Sequence, residues 1–186
     1  MPRFWLGGYS TELGGIADGV SELTAGGVDD ALAGGSLRTG VLGVRAPSPS
    51  WIAAHPSLDV IYAALEGEGA VQAFRRVDAA RLEPIGRPVS VGEAVCHVAV
   101  SPDGRMIVAS CWGDGAVDPS RVDPVVAAST IDTDSTTRFS RAHQAVFLPD
   151  GTVATTDMGL DLVRFWRRSE SRLVPGQQLV LPRGTG

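Results

Sequence analysis

The 186-residue chain contains no lysine: all 16 of its basic residues are arginine, set against 21 acidic residues for a net charge of −5. These arginines are scattered among the acids, so no basic stripe is available to track a phosphate backbone, and nucleic acid is excluded as a partner. Cysteine is nearly absent. Cys96 and Cys111 are too few for a disulfide framework and are expected as reduced, buried thiols. No apolar run approaches the roughly 18–20 residues of a membrane-spanning helix. The opening MPRFWLGGYS lacks the apolar stretch of a secretory signal, so the expected setting is the cytoplasm, away from membranes. HxxxH and CxxC spacings are missing, and the GGYS, GGS and GDG pieces precede no helix, so neither a metal nor a cofactor is implied. A helical stripe is missing too. Residues 17–35, ADGVSELTAGGVDDALAGG, hold a short helix-compatible piece that glycines break into turns.

What the chain does have is punctuation: 23 glycines and 12 prolines, with 44% hydrophobic residues, enough to bury one core. That composition suits many short strands joined by tight turns. The segments 50–74 (SWIAAHPSLDVIYAALEGEGAVQAF), 96–117 (CHVAVSPDGRMIVASCWGDGAV) and 143–166 (HQAVFLPDGTVATTDMGLDLVRFW) align with one another. Pro56, Pro102 and Pro149 coincide. With one residue skipped after Gly151, so do Gly67, Gly113 and Gly159, and Val71, Val117 and Val163.

Each repeat has the same grammar. A first apolar strand (51–54, 98–100, 145–148) meets a proline turn, where proline presets one position and glycine accepts a positive φ. A second strand (60–65, 107–111, 153–156), a glycine turn and a third strand (70–74, 162–166) follow, and a fourth strand is expected at 82–91 and 173–181. Four strands in about 45 residues is the size of a propeller blade. The fold class is therefore all-β: a partial propeller of about three to three and a half four-stranded antiparallel blades. Its units are 1–47, 48–92, 93–139 and 140–186, forming one incomplete domain. In the first unit, RFWLGGYS resembles a second strand, GGIADGV is expected to hold the next, and residues 36–45 to complete it. Residues 118–140 are polar, only 125–128 reads as strand, and a weak, partly disordered segment is expected there.

The entering loops 48–51, 93–97 and 140–143 and the turns 66–69, 112–115 and 157–161 should open on one face, around the channel. His97 and Trp51 share one position in the repeat, and His143 stands one register step away. Glu66, at the end of a second strand, is placed to act as a carboxylate partner, and Asp157 lies one place before the equivalent position. Trp112 offers an aromatic surface for a sugar ring, and Arg141 a guanidinium for a carboxylate or phosphate.

The segments PSWIAAHPSLDVIYAALE, GEAVCHVAVSPDGRMIVASCWGDGAV and RAHQAVFLPDGTVATTDMGLDLVRFW resemble the seven-bladed β-propeller lactonases. This family includes the propeller-type 6-phosphogluconolactonase and the carboxymuconate-lactonizing enzyme. The resemblance implies hydrolysis of a sugar lactone such as 6-phosphogluconolactone, with His143 at the family's catalytic position. His97, Glu66, Asp157, Trp112 and Arg141 (a position where relatives often carry histidine) would then hold substrate. Relatives run to about twice this length, so the chain is expected to be the N-terminal part of such a propeller. Later-blade arginine and glutamate would share the chemistry. The alternative is a non-catalytic fragment that binds a partner or pairs as a homodimer through exposed blade faces.

Overall fold

The structure, a computed structural model, describes residues 3–25, 37–121, 138–170 and 172–185. The chain folds into four antiparallel sheets, each a meander of sequential strands. The first holds β1 (Arg3–Leu6), β2 (Gly19–Ala25) and β3 (Leu37–Arg45). The second holds β4 (Pro49–Ala54), β5 (Val60–Leu65), β6 (Ala70–Arg76) and β7 (Leu82–Ser90). The third holds β8 (Val95–Val100), β9 (Met106–Cys111) and β10 (Val117–Arg121), and the fourth holds β11 (Ala142–Phe147), β12 (Val153–Asp157), β13 (Leu162–Ser169) and β14 (Arg172–Val180).

The sheets stack face to face, and the side-chain alternation of each strand decides which neighbour it meets. In β5, Ile61, Ala63 and Leu65 pack with Val20 and Phe74 toward the first sheet. Tyr62 and Ala64 pack with Val95, Val98 and Ile107 toward the third. A strand buried on both faces must be apolar throughout, which is why VIYAAL shows no polar alternation. The same holds for β9: Ile107, Ala109 and Cys111 face the second sheet, while Met106 and Val108 face the fourth, against Val153 and Trp166. In β12 only alternate residues (Val153, Thr155 and Asp157) are buried. Trp166 is 2% exposed, and its indole N–H donates to Thr155 Oγ1 at 2.8 Å.

The proline turns close as their sequences predict. In the third sheet Gly104 takes φ +69, its N–H donates to the Ser101 carbonyl at 2.8 Å, and Asp103 accepts from Ser101 Oγ at 2.6 Å and Arg105 N–H at 3.1 Å. In the fourth, Gly151 takes φ +84 and Asp150 accepts the Thr152 N–H at 2.9 Å. In the second sheet His55 fills the aspartate's role: its Nδ1 accepts the Ser57 and Leu58 N–H groups at 3.1 and 3.0 Å. The ring proton therefore sits on Nε2, which donates to the Gly104 carbonyl 3.1 Å away and ties one turn to the next.

Three expectations change. GGIADGV does not hold the second strand of the first unit, since β2 begins only at Gly19. Residues 7–18 instead form a loop with a 3₁₀ turn at Thr11–Leu13, ended by Gly14 at φ +78. At Gly15 a Cβ would meet the Tyr9 carbonyl oxygen at 1.9 Å, so only glycine lets the loop fold back here. The loop is stapled to the second sheet, because the Ser10 and Ser48 N–H groups donate to each other's hydroxyls at 2.9 and 3.0 Å. Second, β10 forms at 117–121 and so enters the segment 118–140, where only 125–128 read as strand; residues 125–128 lie outside the described residues. Third, within 17–35, residues 19–25 are strand, and 26–35 lie outside the described residues.

Candidate functional site

The six loops named above lie at one end of their sheets and are joined by a repeated hydrogen bond. The first N–H after each second strand donates to the carbonyl of the residue just before the first strand: Glu66 to Ser48 at 3.2 Å, Trp112 to Ala94 at 3.0 Å, and Met158 to Arg141 at 3.0 Å. Ser48 and Ala94 adopt positive φ (39° and 49°), so the chain enters β4 and β8 through the same tight bend. Each first strand then breaks register by one residue. The breaks lie between Pro49 and Trp51, Val95 and His97, and Ala142 and Gln144. Ser50, Cys96 and His143 are the unpaired residues of three equivalent β-bulges, the feature that re-aims side chains beside functional sites. The next residues, Trp51, His97 and Gln144, stand opposite Ala64, Ser110 and Thr156. The one-step offset between His143 and His97 is thus the difference between the bulge position and the position after it.

These six residues, with Tyr9 and Glu66, line a cleft of about 330 Å³. The Tyr9 hydroxyl donates to Glu66 Oε1 at 3.1 Å. Burial and this carboxylate acceptor raise the phenol's pKa, so it remains protonated at neutral pH. His97 is 6% exposed, and its Nδ1 accepts the Ala145 N–H at 3.3 Å. Its ring lies 4.3 Å from that of Trp51, tilted by 39°. Burial, with a smaller contribution from His143, lowers its pKa to about 4. His97 is therefore a neutral imidazole whose proton is on Nε2, which makes it a hydrogen-bond donor rather than a base. His143 is exposed within the cleft. Cys96 Sγ lies 3.4 Å from the His143 carbonyl and 3.5 Å from that of Ser110. Burial, then the nearby Glu66, pushes the thiol up to about 11, which rules out a thiolate nucleophile at neutral pH.

Of the residues singled out from the sequence, the structure brings Glu66, His97 and His143 into this cleft. Arg141, Trp112 and Asp157 form a second cluster beside it. The Arg141 guanidinium lies 4.4 Å over the Trp112 ring, and Nη1 donates to the carbonyls of Trp112, at 3.0 Å, and Gly113. Asp157 is 4% exposed and accepts the Arg141 and Leu160 N–H groups at 2.9 and 3.1 Å. Its other oxygen takes the Ser140 hydroxyl and the Arg164 guanidinium at 3.4 Å. This carboxylate organises the entering loop and the β12–β13 turn of the fourth sheet and has no oxygen left over for a ligand. Tyr9 was not legible in the sequence, because it reaches the cleft through the long-range Ser10–Ser48 staple. Ser50 and Cys96 carried a signal, their shared position one residue before the Trp51/His97 site.

The family model for the 7-bladed β-propeller lactonases matches residues 3–186. No curated protein matches significantly. Among solved structures, a protein from Lactobacillus plantarum superimposes with a TM-score of 0.74 at 17% identity, over 97% of this chain and 53% of that one. A provisional 6-phosphogluconolactonase from Bacteroides uniformis gives 0.72 at 17%, over 97% and 55%. The periplasmic gluconolactonase PpgL of Pseudomonas aeruginosa gives 0.67 at 18%, over 99% and 69%. At such identities the likeness establishes the fold, and the chain spans about half the length of the first two.

Proposed function

The chain belongs to the lactonase family of 7-bladed β-propellers, and on that premise we propose that its cleft hydrolyses a sugar lactone with His143 as general base. The observation that carries this reading is the placement of His143 on a β-bulge lining the cleft, beside a second histidine held neutral. Ester hydrolysis needs a base for water, a donor for the carbonyl oxygen and a proton for the leaving oxygen. His143 takes a proton from water as the water oxygen bonds to the lactone carbonyl carbon. The Nε2–H of His97, its tautomer set by the Ala145 N–H, donates to the oxyanion. The ring C–O bond then breaks, the ring oxygen takes the proton back from the His143 imidazolium, and an open hydroxy acid leaves. Glu66, tethered by Tyr9, receives substrate hydroxyls. The two cysteines, both thiols, accord with a reducing cytoplasmic setting.

The test is turnover of glucono-δ-lactone, corrected for its spontaneous hydrolysis. His143→Gln is expected to lower the enzymatic rate by about 10²–10⁴-fold, the usual contribution of a positioned base. An unchanged rate overturns the assignment. A second reading, self-association without catalysis, is favoured by the apolar outer face of the first sheet, where Phe4 and Leu6 are exposed.

A further inference from the structure

The composition of the cleft wall bears on which lactone enters it. A phosphoryl group carries about 1.5–2 negative charges at neutral pH and is held by arginine forks, ammonium groups or clustered N–H donors. Of the eight described residues that line the cleft none is arginine, and the whole chain has no lysine. Arg141, two residues from His143, has its guanidinium on the Trp112 and Gly113 carbonyls and over the Trp112 ring. Arg164 faces buried Asp157 at 3.4 Å, and Arg138 is paired with Asp161. His97 stays neutral. The permanent charge on the wall is a carboxylate, Glu66.

The other groups suit a polyhydroxylated ring without charge. The Tyr9 hydroxyl and the Gln144 amide donate and accept, Ser50 Oγ is buried with no hydrogen-bond partner among the described residues, and Trp51, 41% exposed, presents an aromatic face to C–H groups. A buried hydroxyl without a partner is destabilising, and a ligand hydroxyl relieves it.

Building on the lactone reading, we propose that the cleft selects uncharged aldonolactones and discriminates against the same lactones bearing a phosphate. The carboxylate of Glu66 repels the phosphate, and none of the described residues lining the cleft is a cation that would compensate.

The test is equilibrium binding, by calorimetry, of two probes to the 186-residue chain: glucono-δ-lactam, which resists hydrolysis, and its 6-phosphate. The lactam is expected to bind at least about tenfold more tightly, since a like-charge juxtaposition costs a tenfold factor or more. The gap should widen at low ionic strength and narrow in Glu66→Gln. Equal or tighter binding of the phosphate overturns the inference and leaves the lactone reading standing. If neither probe binds, the lactone reading itself fails, and the inference with it.

Discussion

Trp51 and His97 occupy one position in successive sheets and perform one task with opposite hydrogen-bond polarity. The Trp51 indole N–H donates to the Val98 carbonyl at 3.1 Å, whereas His97 Nδ1 accepts the Ala145 N–H at 3.3 Å. Each ring pins its inner strand to the next. For His97 the task requires the neutral form, and this has a sign. Burial holds its pKa near 4 in the folded chain, against 6.5 for a solvated ring. Between those values the unfolded chain binds a proton that the folded chain does not, so folding stability is full above about pH 6.5 and is lost as the pH falls toward 4. Urea midpoints measured from pH 7.5 to 4 should decline more steeply for the parent than for His97→Gln, whose side-chain oxygen keeps the acceptor without titrating. Parallel curves would show that the folded ring protonates freely. Asp103, lowered to about 2, contributes in a separate and more acidic window. At this scale the two histidines and Glu66 were legible because the repeat alone fixes their register. Arg141, Trp112 and Asp157 were placed in the right loops, but their partners were not legible: backbone carbonyls and N–H groups of adjoining turns claim them, and residue identity says nothing of that competition.

The strands themselves were largely readable, for a physical reason. The second strands of the two central sheets are buried on both sides, so the apolar runs VIYAAL and MIVASC mark them almost to the residue. First strands were read two or three residues short, because their opening residues carry the bulges: at Val95-Cys96-His97 the period of two that signals a strand is interrupted. β10 escaped notice because the DPSR that follows Val117 is polar and carries a proline, yet the outermost described strand of a sheet tolerates a proline. The turns offer a sharper test of element-level reasoning. Gly104 and Gly151 hold the same place in the proline turns, at φ +69 and +84. A Cβ at Gly151 meets nothing within 4 Å, whereas at Gly104 it would lie 2.4 Å from two atoms of the His55 ring. Gly151→Ala should therefore cost only the left-handed backbone penalty, about 1–2 kcal/mol. Gly104→Ala should cost more, because it also displaces the ring that ties two turns together. Urea denaturation of both variants measures the difference; equal losses would mean the His55 contact contributes nothing.

For the molecule as a whole, the stacking rule that builds three interfaces leaves two faces over among the described residues. Each sheet packs one face on its predecessor and the other on its successor. In β1 the alternation turns Trp5 toward the second sheet and leaves Phe4 and Leu6 facing outward, 42% and 41% exposed. On the fourth sheet Val146 is 48% exposed, with Val163 and Phe165 half-buried on the same side of β13, away from Trp166. These are the two face types that meet three times within the chain, so a second copy can supply what each lacks. Its first sheet would lie against the fourth sheet of its partner, and the reverse contact would close a two-fold ring within the range of known propellers. Sedimentation velocity of the chain is expected to show a species of twice 19.4 kDa, dissociating on dilution. Val146→Glu and Phe4→Glu, each placing a charge at one side of the same contact, should both shift it to the monomer. A 19.4 kDa species at every concentration would mean the open faces are tolerated in water. Loss of the dimer in only one of the two variants would mean that copies meet through a single face, with no closed ring.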